Sequence, residues 1–188
     1  TMSDEIIDAA REYEQAELGR GCPAEVMERA VYDGPFWRLY QGDAVEELKH
    51  IVNDSVHLSV FSPPFLALYT YSATERDLGN CSTPEEFFRH FGYVIDELLR
   101  ITMPGRVCCV HVSQVPAMLV KDGYIGMKDF RAQVVAAYEA RQWIYQGEVV
   151  IDKDPQAQAI RTHAKGLAFA QLKRDSSWLR PSLADYIL

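Results

Sequence analysis

Residues Ser62-Pro63-Pro64-Phe65 follow directly on an apolar run, Val56 to Phe61, and side chains of these types in this order point to one kind of chemistry. Proline has a fixed φ and no N–H, so a Pro-Pro pair at a strand end makes a rigid turn with carbonyl oxygens free to accept hydrogen bonds. An amine attached to an aromatic ring is a poor nucleophile, because its lone pair is delocalised into the ring. Two acceptors on its hydrogens, the Ser62 hydroxyl and the Pro63 carbonyl, would draw the nitrogen toward tetrahedral geometry as it attacks a methyl sulfonium and gains positive charge. Phe65 would then supply a stacking face. A base inside a duplex cannot reach such a turn, so the chemistry would also require flipping it out, at a cost of roughly a few kcal/mol.

The elements that must position this turn are legible around it. Phe36 to Gln41 reads as a strand, Asp43 to Val52 as a helix and Val56 to Phe61 as a second strand. In a parallel sheet with a right-handed crossover, this β-α-β unit would place the Gly42-Asp43 turn and the Ser62 turn at the same carboxyl edge, where open α/β folds bind ligands. Leu66 to Cys81 has little apolar periodicity and is expected to be a long loop beside the site; Tyr69 and Tyr71 in it are candidates to hold a base or wedge a duplex. Thr83-Pro84-Glu85-Glu86 has the form of a capping box with proline at the first helical position. Phe87, Phe91, Val94, Ile95, Leu98 and Leu99 follow as the buried stripe of the helix it opens. After Pro104-Gly105, Arg106 to Ser113 reads as a strand, Lys128 to Arg141 as a helix and Glu148 to Asp152 as a further strand.

A strand followed by Ser-Pro-Pro-Phe resembles the catalytic motif of the DNA amino-methyltransferases, which modify N4 of cytosine or N6 of adenine. Its general form is Asp/Asn/Ser-Pro-Pro-aromatic. Upstream, Leu39 to Leu48 resembles the opening strand, Gly-Asp turn and helix of that family, in the subgroup whose catalytic motif comes first. Downstream, Pro104 to Val110 resembles its next Gly-led strand, so the likeness runs from about Phe36 to Asp154. It implies a Rossmann-like α/β sheet with flanking helices, S-adenosylmethionine as cofactor and double-stranded DNA as partner. It also implies catalytic roles for Ser62, Pro63, Pro64 and Phe65, and places Gly42 and Asp43 against the adenosine part of the cofactor. A helix-capping role for Asp43 stands beside that one. Ser62 favours N4 of cytosine over N6 of adenine.

The 188 residues, 48% hydrophobic and 24% charged, describe a globular domain with chain enough for a core. No apolar run approaches the ~20 residues a membrane-crossing helix needs, and the N-terminus is acidic and unlike a signal peptide, so a cytoplasmic protein, bacterial or phage-encoded, is expected. Cys22, Cys81, Cys108 and Cys109 and the five histidines show no metal-ligand spacing. The net charge of −8 is unusual for a DNA-binding chain, but 13 of the 27 acidic residues fall in the first 60 positions, and residues 151–188 carry an excess of basic over acidic side chains.

Three segments are expected: an N-terminal helical extension over 1–35, with Ser3 as N-cap, apolar positions Ile6, Ala9, Ala10, Tyr13 and Ala16, and a second short helix from Pro23; the catalytic part over 36–152; and the start of a target-recognition region over 153–188. In that last segment Arg161, Lys165, Lys173, Arg174 and Arg180 are candidates to contact DNA, and Asp185 to Leu188 looks like a strand cut short. One departure from the resembled family matters: the chain has no Phe-x-Gly-x-Gly-like cofactor loop. The Gly-rich loop is therefore expected from a C-terminal continuation or a complementing chain, and residues 1–188 alone are expected to bind cofactor weakly. A homodimer is left open. Two other function classes stand beside the main one: a DNA-binding subunit without catalysis, and an amino-methyltransferase acting on a protein amide or on RNA.

Overall fold

The computed structural model describes residues 29–117, 119–161 and 182–188. The expected helices near Ser3 and Pro23 lie outside the described residues, as do Cys22, Lys165, Lys173, Arg174 and Arg180. The chain divides into two compact units, one formed by Gly21–Cys109 with Ala136–Tyr145 and the other by Val110–Val135 with Gln146–Leu188.

In the first unit, β1 (Ala30–Asp33) and β2 (Arg38–Gln41) form an antiparallel hairpin in the register Ala30 to Gln41 and Asp33 to Arg38. Arg38 closes it across the turn onto Asp33 at 2.5 Å. The strand at β1 falls inside the stretch expected to be helical, and it takes β2 as its partner. As a result β2 and β3 (Val56–Phe61) belong to different sheets, and the expected pairing of both in one parallel sheet does not occur. Helix α1 (Ala44–Leu48) links them and is only five residues long, too short to be stable by itself. Both its ends are held: Asp43 caps its first turn, and Arg100 donates to the carbonyls of Leu48 and Ile51 beyond its last turn, at 2.8 and 2.9 Å.

Helix α2 (Pro84–Ile101) starts as the sequence predicts. The Thr83 hydroxyl accepts from Glu86 N–H at 3.2 Å, Pro84 occupies the first turn, and the Glu86 carboxylate reaches back to Ser82 N–H at 2.7 Å. Phe87, Phe91, Gly92, Ile95, Leu98 and Ile101 are buried, while Val94 and Leu99 are half-buried at the margin of the stripe. The Phe91 ring packs on Phe87 at 5.7 Å, Phe61 of β3 at 6.4 Å and Tyr138 at 6.2 Å, which joins helix to strand. Gly92 lets the Arg141 guanidinium, itself paired with Asp96 at 3.2 Å, approach the helix: a Cβ would lie 1.9 Å from it and oblige that side chain to shift. The helix passes directly into β4 (Thr102–Ser113), with the Thr102 hydroxyl donating to Leu98 O at 2.7 Å. The strand thus begins before Pro104-Gly105, where the sequence suggests a break; Gly105 absorbs the irregularity with φ of +77°. Asp54 and Ser55 N–H donate to the carbonyls of Arg100 and Ile101, at 3.1 and 2.9 Å, so β3 and β4, neighbours in the sheet, begin side by side and run parallel.

In the second unit the end of β4 pairs antiparallel with β8 (Ala184–Ile187), and β8 with β7 (Val149–Asp152). The last residues are therefore a strand, as the sequence suggests, and lie between β4 and β7. Val110 and Leu188 exchange both backbone hydrogen bonds at 3.0 Å. A small hairpin joins β5 (Val115–Ala117) to β6 (Gly126–Lys128) around the short helix α3 (Leu119–Asp122). Helix α4 (Phe130–Glu139) buries Phe130 and Val134, and α5 (Pro155–Arg161) follows β7. Asp185 is held by Lys153 and by His111, the latter at 3.2 Å. No helix among the described residues is long and apolar enough to cross a membrane.

Candidate functional site

The Ser62-Pro63-Pro64-Phe65 turn leaves the end of β3, with Ser62 exposed, Pro63 buried, and Pro64 and Phe65 half-buried. Leu66, immediately after it, is 5% exposed and has φ of +54°. A branched, buried side chain in the left-handed region is strained by about 1–3 kcal/mol and persists only where its surroundings impose it. Here the strain accompanies a sharp change of direction, which sends the chain into the 3-10 turn Leu66–Leu68 and then into the loop that carries Tyr69 and Tyr71. Both tyrosines are more than half exposed.

That loop is long but heavily braced. One oxygen of Asp77 accepts from the N–H groups of Tyr71 and Ser72, at 2.8 and 2.5 Å, and the other from Gly79 N–H at 2.8 Å. Asn80 donates its amide to the carbonyls of Ser72 and Thr74, both at 2.8 Å. A Cβ at Gly79 would lie 2.2 Å from the Tyr69 carbonyl oxygen, so only glycine fits against that backbone. The loop is thus one tied unit from the Ser62–Phe65 turn to the 3-10 turn Leu78–Asn80.

Asp43 stands at the end of β2. Its Oδ1 accepts from Val45 and Glu46 N–H at 2.9 and 3.2 Å, which is an N-cap. Its Oδ2 lies 2.7 Å from Arg76 Nε, and Arg76 Nη2 meets Glu46 Oε1 at 2.8 Å. Lys49 and Arg76 together hold the Glu46 carboxyl below its ordinary range, and Glu46 with Asp43 raises the Arg76 guanidinium further. Gly42 is needed for close approach, because a Cβ there would meet Glu47 Oε1 at 2.9 Å and disturb its pair with Arg29.

The structure therefore joins two of the expected site groups through a residue to which the sequence assigns no role: Arg76 ties the loop after Ser62–Phe65 to Asp43. Arg76, Asp77 and Asn80 are visible in the sequence as loop residues, and Asp77-Leu78-Gly79 has the form of an Asx turn. Nothing in their spacing announces the partner thirty residues upstream. Of the basic candidates, Arg161 ends α5 in the second unit, and the others lie outside the described residues. Among the described residues no cluster of histidine, cysteine, aspartate and glutamate could hold a metal ion.

No protein-family model matches the chain, and no curated protein does. Solved structures do. A protein from Thermus thermophilus assigned as a DNA modification methylase, crystallised with S-adenosyl-L-methionine, superposes with a TM-score of 0.53 at 20% identity, over 78% of this chain and 49% of that one. The PvuII cytosine-N4-specific DNA methyltransferase superposes with a TM-score of 0.50 at 11% identity, over 79% of this chain and 46% of that one. At such identities the likeness establishes the fold, an α/β Rossmann-like sheet with flanking helices. The chain spans about half the length of these structures.

Proposed function

We propose that this chain is the catalytic-motif half of a DNA methyltransferase that moves a methyl group from S-adenosylmethionine to an exocyclic amine of a flipped base, N4 of cytosine in preference to N6 of adenine. The observation that carries the proposal is the turn itself: Ser62-Pro63-Pro64-Phe65 at the end of a sheet strand, followed by a strained Leu66 and a braced loop that reaches Asp43. Ser62 Oγ and the Pro63 carbonyl accept the two amine hydrogens, which favours the nitrogen as it gains positive charge. Phe65 stacks on the base, and Tyr69 and Tyr71 border it from the loop. No general base with a tuned pKa is needed, since the amine loses its proton after it has been methylated.

Asp43 fits part of what the cofactor needs. Its Oδ1 is committed to the cap and its Oδ2 to Arg76. A carboxylate offers about four lone-pair sites, so acceptor capacity remains for the adenosine end. When bound, S-adenosylmethionine supplies the electrophilic methyl group. The preference for N4 rests on Ser62. Arg161, Lys165, Lys173, Arg174 and Arg180 are assigned to phosphate contacts.

Residues 1–188 are proposed to be inactive alone, because no Gly-rich cofactor loop occurs among them. A calorimetric dissociation constant in the micromolar range for S-adenosylmethionine and residues 1–188 would contradict the weak cofactor binding proposed for them. The test of the site is Ser62→Ala in the active form, followed by transfer of a radiolabelled methyl group to duplex DNA. A fall in kcat of about 10²-fold or more, with cofactor binding retained, is expected from the loss of one acceptor. An unchanged kcat would refute the role of the turn.

A further inference from the structure

Asp43 is held from two sides. The N-cap uses Oδ1 alone. The other oxygen is fixed by Arg76 Nε at 2.7 Å, while Arg76 Nη2 takes Glu46 at 2.8 Å, so one guanidinium forks across two carboxylates on the first turn of α1. A cation at a helix N-terminus gains nothing from the helix dipole, so the two carboxylates account for its place. The backbone under Arg76 is equally determined: Asp77 gathers three N–H groups, Asn80 two carbonyls, and Gly79 seats the loop on the Tyr69 carbonyl. The loop that presents Arg76 begins at the turn carrying Ser62 and Phe65.

We infer that Arg76 is a positioning residue for the cofactor. It fixes the rotamer of the Asp43 carboxylate, so that the acceptor capacity left on Oδ2 meets the cofactor, and it sets the loop beyond the base-holding turn relative to that acid. This inference rests on the reading of Asp43 as the cofactor acid. The Arg fork is what such positioning requires, because a lysine reaches one carboxylate as a point charge and cannot orient the second.

The test compares wild type, Arg76→Ala, Arg76→Lys and Ser62→Ala in the longest polypeptide that contains residues 1–188 and binds S-adenosylmethionine. Cofactor affinity is measured by calorimetry, DNA affinity by fluorescence anisotropy and folding by thermal melting. Arg76→Ala is expected to weaken S-adenosylmethionine by about tenfold or more, the scale of a lost charged hydrogen bond. Its melting midpoint and DNA affinity stay those of wild type. Arg76→Lys recovers part of the loss, and Ser62→Ala binds cofactor normally but transfers the methyl group more slowly, by about 10²-fold or more. Cofactor affinity of Arg76→Ala within twofold of wild type overturns the inference and leaves the proposed function standing. Parallel loss of cofactor binding, DNA binding and melting temperature also overturns it, by showing a merely structural clamp. If wild type binds no S-adenosylmethionine in any form, both the inference and the reading of Asp43 fall.

Discussion

Asp43 is a residue whose two duties can be taken apart by two substitutions. Asp43→Ala removes the acceptor of the Val45 and Glu46 N–H groups together with the charge facing Arg76; Asp43→Asn removes the charge and keeps an acceptor. Asn and Asp are equivalent N-caps, whereas alanine in their place costs about 1 kcal/mol, within a range of roughly 0.5–2. Helix α1 has only five residues and no apolar stripe of its own, so the loss belongs near the upper part of that range. For a chain of this size, about 1 kcal/mol lowers the melting midpoint by roughly 2–4 °C. Thermal and urea denaturation followed by circular dichroism should therefore rank wild type and Asp43→Asn together and Asp43→Ala below them. Cofactor binding should rank differently, with both variants impaired because both lack the charge that Arg76 orients. Equal destabilisation by Asn and Ala would refute the capping argument. Normal cofactor affinity in Asp43→Asn would refute the assignment of the carboxylate to the cofactor.

Two further expectations concern the scaffold. Phe91 is 1% exposed and its ring meets Phe61, Phe87 and Tyr138. Phe91→Ala should cost about 3–5 kcal/mol, a large part of the ~5–15 kcal/mol typical of a folded domain, and a loss below about 1 kcal/mol in urea would show that β3 and α2 are not joined through this ring. In the second unit, burial works against the charge of Asp185, but Lys153, Ser113 and His111 outweigh it and hold the carboxyl below its ordinary value. Stability from this group is then fully present above about pH 3.9, the unfolded-state value, and is lost as pH falls through the lower folded-state value. The stability gap between wild type and Asp185→Asn should be constant at neutral pH and shrink in the acid range; a gap that grows with acidity would contradict the assignment.

The Ser62–Phe65 turn and helix α2 are legible in the sequence because their signals are local. Pro63-Pro64 fixes its own backbone, and Thr83-Pro84-Glu85-Glu86 carries its cap and first turn within four residues. The partner of β2 is not legible, since four-residue strands such as Ala30–Asp33 have too little period to separate them from a helix end, and the choice between hairpin and parallel sheet is made by contacts remote in sequence. Asp185 to Leu188 reads as a cut strand for the same reason: its place between β4 and β7 depends on partners more than thirty residues upstream. The roles of Arg76 and Arg100 escape the sequence because a loop or helix-end arginine carries no mark of the carboxylate or carbonyl it will meet. At the site, the chemistry proposed for Ser62 to Phe65 and the capping duty of Asp43 can be argued from residue types, and its proposed cofactor duty from the family resemblance, whereas the tie between the two groups exists only in three dimensions.

The most direct measurement of the central claim is nucleoside mass spectrometry of duplex DNA incubated with S-adenosylmethionine bearing a trideuterated methyl group. Residues 1–188, the longest polypeptide that contains them, and its Ser62→Ala variant are compared. Deuterated N4-methylcytosine is expected from the longer form, none from residues 1–188 alone, and less by about 10²-fold or more from the variant; deuterated N6-methyladenine instead would keep the chemistry and correct the base. Absence of any deuterated nucleoside from both forms would contradict the DNA-methyltransferase reading.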